Sequence, residues 1–172
     1  MLQLQKKAQQ LIKHIAIILA FLLMLSSPVA AQDYDKGLAA YINEDYATAF
    51  KEWKPLADQG LAIAQLNLGV MYTNGWGVLQ DYKEAVKWFK LAAEQGDAKA
   101  QSNLGLMYVL GQGVIQDYAM AHLWLNIGAT NGDELGGTNR DVIAEEMTSA
   151  AIEKAQAMAR KCMESNYEEC GY

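Results

Sequence analysis

Few side chains in this sequence have the type and spacing to do chemistry, and each can be held against what that chemistry requires. Cys162 and Cys170 are its two thiols. Two cysteines without nearby histidines make only half a zinc site. So close a pair predicts one disulfide instead, if the chain reaches an oxidising compartment as its N-terminal residues lead one to expect. His122, in "AHLWL", is the one histidine beyond residue 31. A general base also needs a partner within reach, and the apolar neighbours favour a packed histidine. Asp33, Asp35 and Glu44 fall at positions one, three and twelve of a calcium loop, but Gly37 and Leu38 stand at five and six, where a ligand and the turning glycine belong. "GWGVLQ" imitates a dinucleotide motif without its third glycine or a preceding strand, and no HExxH, nucleophile elbow or phosphate loop occurs. The expectation is a chain with no catalytic residue, no metal ligand set and no cofactor.

The elements that would position any site start with the N-terminus. Lys6, Lys7 and Lys13 precede the unbroken apolar run Ile15 to Leu25, and "SSPVAAQ" follows with small residues at Val29 and Ala31. This order predicts a secretory signal peptide over residues 1–31, cut before Gln32. The run is short of the roughly 20 apolar residues that span a bilayer, and no cysteine follows it to carry a lipid. All 20 acidic residues lie after Ala31 and three of the 14 basic ones before it, so the mature chain carries 11 − 20 = −9. Such a charge repels nucleic acid and anionic membranes, which sets both aside as partners. The expected location is periplasmic or secreted.

Residues 32–172 read as one domain built on a repeat. Asp45, Asp81 and Asp117 are 36 residues apart, as are Tyr46, Tyr82 and Tyr118, and Gly60, Gly96 and Gly132. Asp45–Gln80 and Asp81–Gln116 share 20 of 36 residues, and a fixed period in the range of 20 to 50 marks a solenoid. Each period reads as two helices. "DAKAQSNLGLMYVLG" begins at an N-cap aspartate, Asp97, and stops at Gly111; "DYKEAVKWFKLAAEQG" begins at Asp81 and stops at Gly96. Gly69 and Gly105 fall mid-helix, where glycine costs about 1 kcal/mol against alanine, so they predict a helix crossing too close for a side chain. Asn67 and Asn103 are polar members of the repeated set; they either meet a ligand or bond loop backbone, and the need of buried polar groups for partners favours the second.

"AQLNLGVMYTNGWGVLQDYKEAVKWFKLAAEQG" and its second copy resemble the Sel-one-like repeat, a relative of the tetratricopeptide repeat. The match covers about Asp45 to Arg160. The resemblance implies an all-α, right-handed α-solenoid of stacked antiparallel helix pairs that holds other proteins. Repeats are expected at about 62–97 and 98–133, N-terminal capping helices at about 35–60, and C-terminal capping helices at about 134–165, the last begun by Thr148. "DYDKGLAAYINE" stands where a full first helix would be, and Arg140 and Asp141 replace the leucine and glycine of the earlier copies. Some secreted relatives are associated with penicillin binding and β-lactam hydrolysis. They carry a cysteine pair in each repeat, and this chain has one pair and no SxxK after residue 31.

Between the two copies the first helix changes at Ile63/Lys99, Leu66/Ser102, Val70/Leu106 and Thr73/Val109, spaced as one helix face. By analogy with tetratricopeptide relatives these eight residues line a concave groove that takes a peptide or helix of an envelope protein. The function expected is a non-enzymatic, protein-binding scaffold, possible regulation included. A β-lactamase-like or penicillin-binding enzyme and a peptidoglycan binder are the alternatives.

Overall fold

The structure, a computed structural model, describes residues 28–170 as eight helices in chain order. They are α1 (Pro28–Ile42), α2 (Tyr46–Asp58), α3 (Ala62–Asn74), α4 (Tyr82–Ala93), α5 (Ala98–Leu110), α6 (Tyr118–Thr130), α7 (Glu134–Ala144) and α8 (Ser149–Glu164). The leader expected over residues 1–31 lies, up to residue 27, outside the described residues. Each helix packs on its chain neighbour from α1 to α7, giving an α-solenoid of stacked pairs α1/α2, α3/α4 and α5/α6. At the C-terminal end the pairing changes: α7 and α8 both rest on α6, and α7 also touches α5.

The helix starts follow from capping. Asp45, Asp81, Asp97, Asp117 and Asp133 each accept a hydrogen bond from a backbone N–H in the first turn of the helix they precede, and Thr148 does the same for α8. These bonds satisfy otherwise orphaned donors, each worth about 1 kcal/mol. Helices α3 and α5 end at Gly75 and Gly111, both left-handed, the conformation that most favours glycine.

Close approach explains the mid-helix glycines. A side chain at Gly69 would overlap the Phe89 ring, and one at Gly105 would lie 2.7 Å from Leu125 Cγ. Gly37 meets the Trp53 indole in the same way. Trp53, Phe89 and Leu125 are 36 residues apart, so α1/α2 is a third pair of the same kind. A complete helix therefore stands where the sequence suggested a reduced one. It escaped the repeat because only three residues join α1 to α2 against seven between α3 and α4, which shortens the glycine spacing from 36 to 32.

Successive pairs are joined at two seams. At one end the second loop glycine of each repeat is pressed on the preceding pair: a Cβ at Gly77 would overlap the Tyr46 carbonyl, and one at Gly113 the Tyr82 carbonyl. At the other end Gln65 Nε2 donates to Ala57 O at 3.0 Å while its Oε1 accepts from Gln95 at 2.7 Å. Gln101 repeats this with Ala93 O at 3.0 Å and Asn131 at 2.8 Å. Gln65 and Gln101 are buried, so both ends of each amide must be satisfied. Asn131 Nδ2 also donates to Tyr167 Oη at 2.9 Å. Tyr167 sits between Cys162 and Cys170, which are joined as a disulfide.

Gly113→Ala is expected to cost about 3 kcal/mol or more in urea unfolding, because it combines left-handed strain with backbone overlap. Gly132, at φ 105 with open space around it, bears the strain alone, so Gly132→Ala should cost about 1–2 kcal/mol. Equal losses would show that the loop seam does not hold the pairs together. Replacing both cysteines by serine should remove about 2 kcal/mol, the loop entropy of so short a closure.

Candidate functional site

The first helices of successive pairs, α1, α3, α5 and α7, share one face, and three adjoining cavities of about 250, 240 and 280 Å³ run along it. Lys99 and Leu106 belong to two of the three, as does Val70, and Asn103 lines all three. The cavities are therefore stretches of one groove. Its floor is aliphatic, with carboxamides set into it and few charges. A larger, more open cleft of about 640 Å³ lies among second-helix side chains. Its lysines are already paired, Lys54 with Asp58 at 2.6 Å and Lys87 with Glu84 at 3.2 Å. Such exposed pairs form a solvated surface.

The eight residues expected in the groove divide. Leu66, Val70, Thr73, Lys99, Ser102 and Leu106 line the cavities, and Ile63 and Val109 line none of them. Ile63 is exposed beside the groove. Val109 is half-buried against the cluster of Ala121, Leu125 and Ile143. Leu66 and Ser102 are buried, at 9% and 4% exposure, and serve packing more than contact. The Ser102 hydroxyl is wedged between Gly128 and Gly136 and has no partner among the described residues.

Two rows of the groove escape the comparison of copies. Tyr34, Leu38 and Tyr41 of α1 line the first cavity; Tyr34 and Leu38 occupy the places of Leu66 and Val70 once the 32-residue spacing is applied. At the other end Leu135 and Asn139 line the third cavity, 36 residues beyond Lys99 and Asn103. The signal for the first row was the Gly37–Trp53 contact, and for the last the persistence of asparagine at 67, 103 and 139.

The comparisons bear on what this architecture is. A family model described as the Sel1 repeat matches residues 62–97 and 98–133. The chain carries two Sel1 repeats. It is similar to the crystal structure of a protective antigen present in uropathogenic Escherichia coli strains displaying an SLR fold, with 30% identity and a TM-score of 0.75 over 82% of this chain and 31% of that one. It is also similar to a Sel1 repeat protein from Oxalobacter formigenes, with 33% identity and a TM-score of 0.59 over 64% of this chain and 34% of that one. It thus spans about a third of the length of these structures. A comparison with curated proteins found no match. Sel1-repeat proteins are generally protein–protein interaction scaffolds.

Asn67 and Asn103 do not make the loop-backbone bonds expected of them; the loops are tied to the last turns of α3 and α5 by two glutamines instead. Gln80 and Gln116 donate to Thr73 O and Val109 O, each at 2.7 Å. Asn67 donates only to Tyr34 Oη, at 3.3 Å. Asn103 and Asn139 make no side-chain hydrogen bond among the described residues. The asparagines line the groove instead.

The candidate chemistry is accounted for as follows. Asp33 and Asp35 lie within helix α1, not a loop, and no group of three or more metal-ligating side chains occurs among the described residues. Among those residues no helix is long and apolar enough to cross a membrane. His122 is buried at 2% exposure in α6 and lines none of the cavities above. Burial, and then the Arg140 guanidinium, push its pKa below the ordinary value, against a smaller opposing pull from Asp141.

His122 is therefore neutral in the folded Sel1-repeat stack, and the unfolded chain binds a proton more readily. Its contribution to stability is present above about pH 6.5 and is lost as pH falls below that value. Urea midpoints measured from pH 7.5 to 5 should drop for the wild type and drop less for His122→Gln. A parallel fall in both would mean that other groups govern the acid limb.

Proposed function

We propose that this Sel1-repeat protein is an exported, non-enzymatic scaffold that binds a polypeptide of an envelope partner in the groove formed by α1, α3, α5 and α7. The observation that carries the reading is the groove itself. Three adjoining cavities, continuous over four helices, are floored by Leu38, Val70, Leu106 and Leu135. Leu38, Leu135 and Val142 are exposed, at 38%, 69% and 61%. Aliphatic side chains repeated along one face mark an interaction surface. Export is supported by the basic start and apolar run of residues 1–25, and by the Cys162–Cys170 disulfide, a bond that persists in oxidising compartments. A non-enzymatic role is supported by the position of His122, buried in the stack and away from the groove.

A photo-crosslinking amino acid at Leu38 or Leu135 is expected to capture a discrete partner in the native compartment. The same group at Leu79, 91% exposed on a loop, should not. Leu106→Glu should lower capture at least tenfold while the far-ultraviolet CD spectrum is unchanged. Capture from Leu79 alone, or capture indifferent to Leu106→Glu, would move the binding surface off the groove.

A further inference from the structure

The groove holds one feature that packing does not explain. Asn67, Asn103 and Asn139 recur at intervals of 36 residues on α3, α5 and α7. All three line the cavities and are half-buried. The third persists although the copy around it has broken: where the second has "NLG" at 103–105, the last has "NRD" at 139–141. A residue needed only for stacking would have been lost with the leucine and glycine beside it. The three amides also have little to do inside the fold, with one 3.3 Å bond to Tyr34 Oη between them. None of their amide atoms is among the buried unsatisfied groups, so in the free groove these donors and acceptors stay open to solvent and to whatever fills it.

We propose that Asn67, Asn103 and Asn139 are a row of main-chain clamps that hold one extended polypeptide segment along the groove, an inference that rests on the groove being the binding surface. The carboxamide offers a donor and an acceptor side by side, matching the C=O and N–H of a peptide group. A bound helix has those groups tied up internally and would leave the three amides unpaired. A glycan would leave the aliphatic floor of Val70, Leu106 and Leu135 without an apolar partner. An extended chain satisfies both: its backbone meets the amide row and its alternate side chains fall on the aliphatic floor.

Charge completes the description of the occupant. Lys99 lies one turn from Asn103, lines the first and third cavities, and makes no ion pair among the described residues. The one carboxylate lining the three cavities, Asp133, is engaged in capping α7 through Gly136 N at 3.0 Å. The complementary segment is therefore apolar and extended, with an acidic residue over Lys99.

The test uses a phage-displayed library of random dodecapeptides selected on the purified protein, with the tightest binders resynthesised and measured by fluorescence anisotropy. Asn103→Ala and Asn139→Ala are expected to weaken peptides of unrelated sequence alike, by about tenfold each, because the contact is to backbone. N-methylation of alternate residues in the peptide should weaken binding similarly. Lys99→Glu should weaken acidic peptides selectively, with a salt dependence. Unchanged melting temperatures of the asparagine variants would exclude unfolding as the cause. Binding that is lost in Leu106→Glu yet stays within twofold in both asparagine variants would overturn the clamp and leave the groove as the binding site. Absence of any binder sensitive to Leu106→Glu would overturn the groove and the clamp together.

Discussion

The arrangement depends on a contact between backbones. Gly77 and Gly113 rest on the first carbonyls of α2 and α4 with no room for a side chain, and both are in the left-handed conformation. That contact sets how near each pair lies to the last. What spans successive pairs inherits this spacing, including the intervals at which groove residues repeat, whereas the crossing of Phe89 over Gly69 is set within one pair. The glutamine seam at the opposite end of each pair works differently. Gln65 and Gln101 are buried polar groups whose bonds are complete only in one register, so a misplaced pair would strand a donor and an acceptor away from water. The glycine seam fixes distance, and the glutamine seam fixes alignment.

This division of labour explains why similar amides have different fates. Gln65, Gln80, Gln101 and Gln116 each reach a backbone carbonyl of the fold, Gln65 and Gln101 that of the preceding pair. The one-carbon-shorter asparagines at 67, 103 and 139 stand on the helix face turned to the groove, where no carbonyl of the fold is offered. Polar groups that serve folding and polar groups free for a partner are thus separated by side-chain length and helix face.

Much of the fold was legible in the residues. The 36-residue period, the capping aspartates, Thr148, the close crossings at Gly69 and Gly105, and the Cys162–Cys170 bond all have a local cause that the sequence displays. The groove was legible only in part, for reasons that can be named. Differences between copies mark where packing tolerates change, and they do not distinguish a tolerant buried position from an exposed one. Leu66 and Ser102 occupy the same place, but the smaller residue faces Gly128 and Gly136, where the larger one packs in a cluster with Ala92 and Ala100. The size change is absorbed between helices and never reaches solvent. The α1 row was hidden because a loop shorter by four residues breaks the period while leaving the helix contacts intact, and the α7 row because its packing letters had changed and only Asn139 of its groove letters had not.

At the C-terminal end of the described residues the helix pairing changes while the groove continues. The helix after α7 rests on α6, and the Tyr167 hydroxyl, between the two bridged cysteines, accepts from Asn131. Both act on the back and base of the stack. A cap whose only duty is to cover the core should present a polar outer face. Helix α7 does not: Leu135 and Val142 stay exposed on the side that continues the groove, and Asn139 stays among them. Two aliphatic side chains in solvent are a standing cost of about 1 kcal/mol or more each against burial. The extended occupant proposed for the groove, running from Tyr34 on α1 to Asn139 on α7, would account for their persistence on a helix that has otherwise abandoned the repeat.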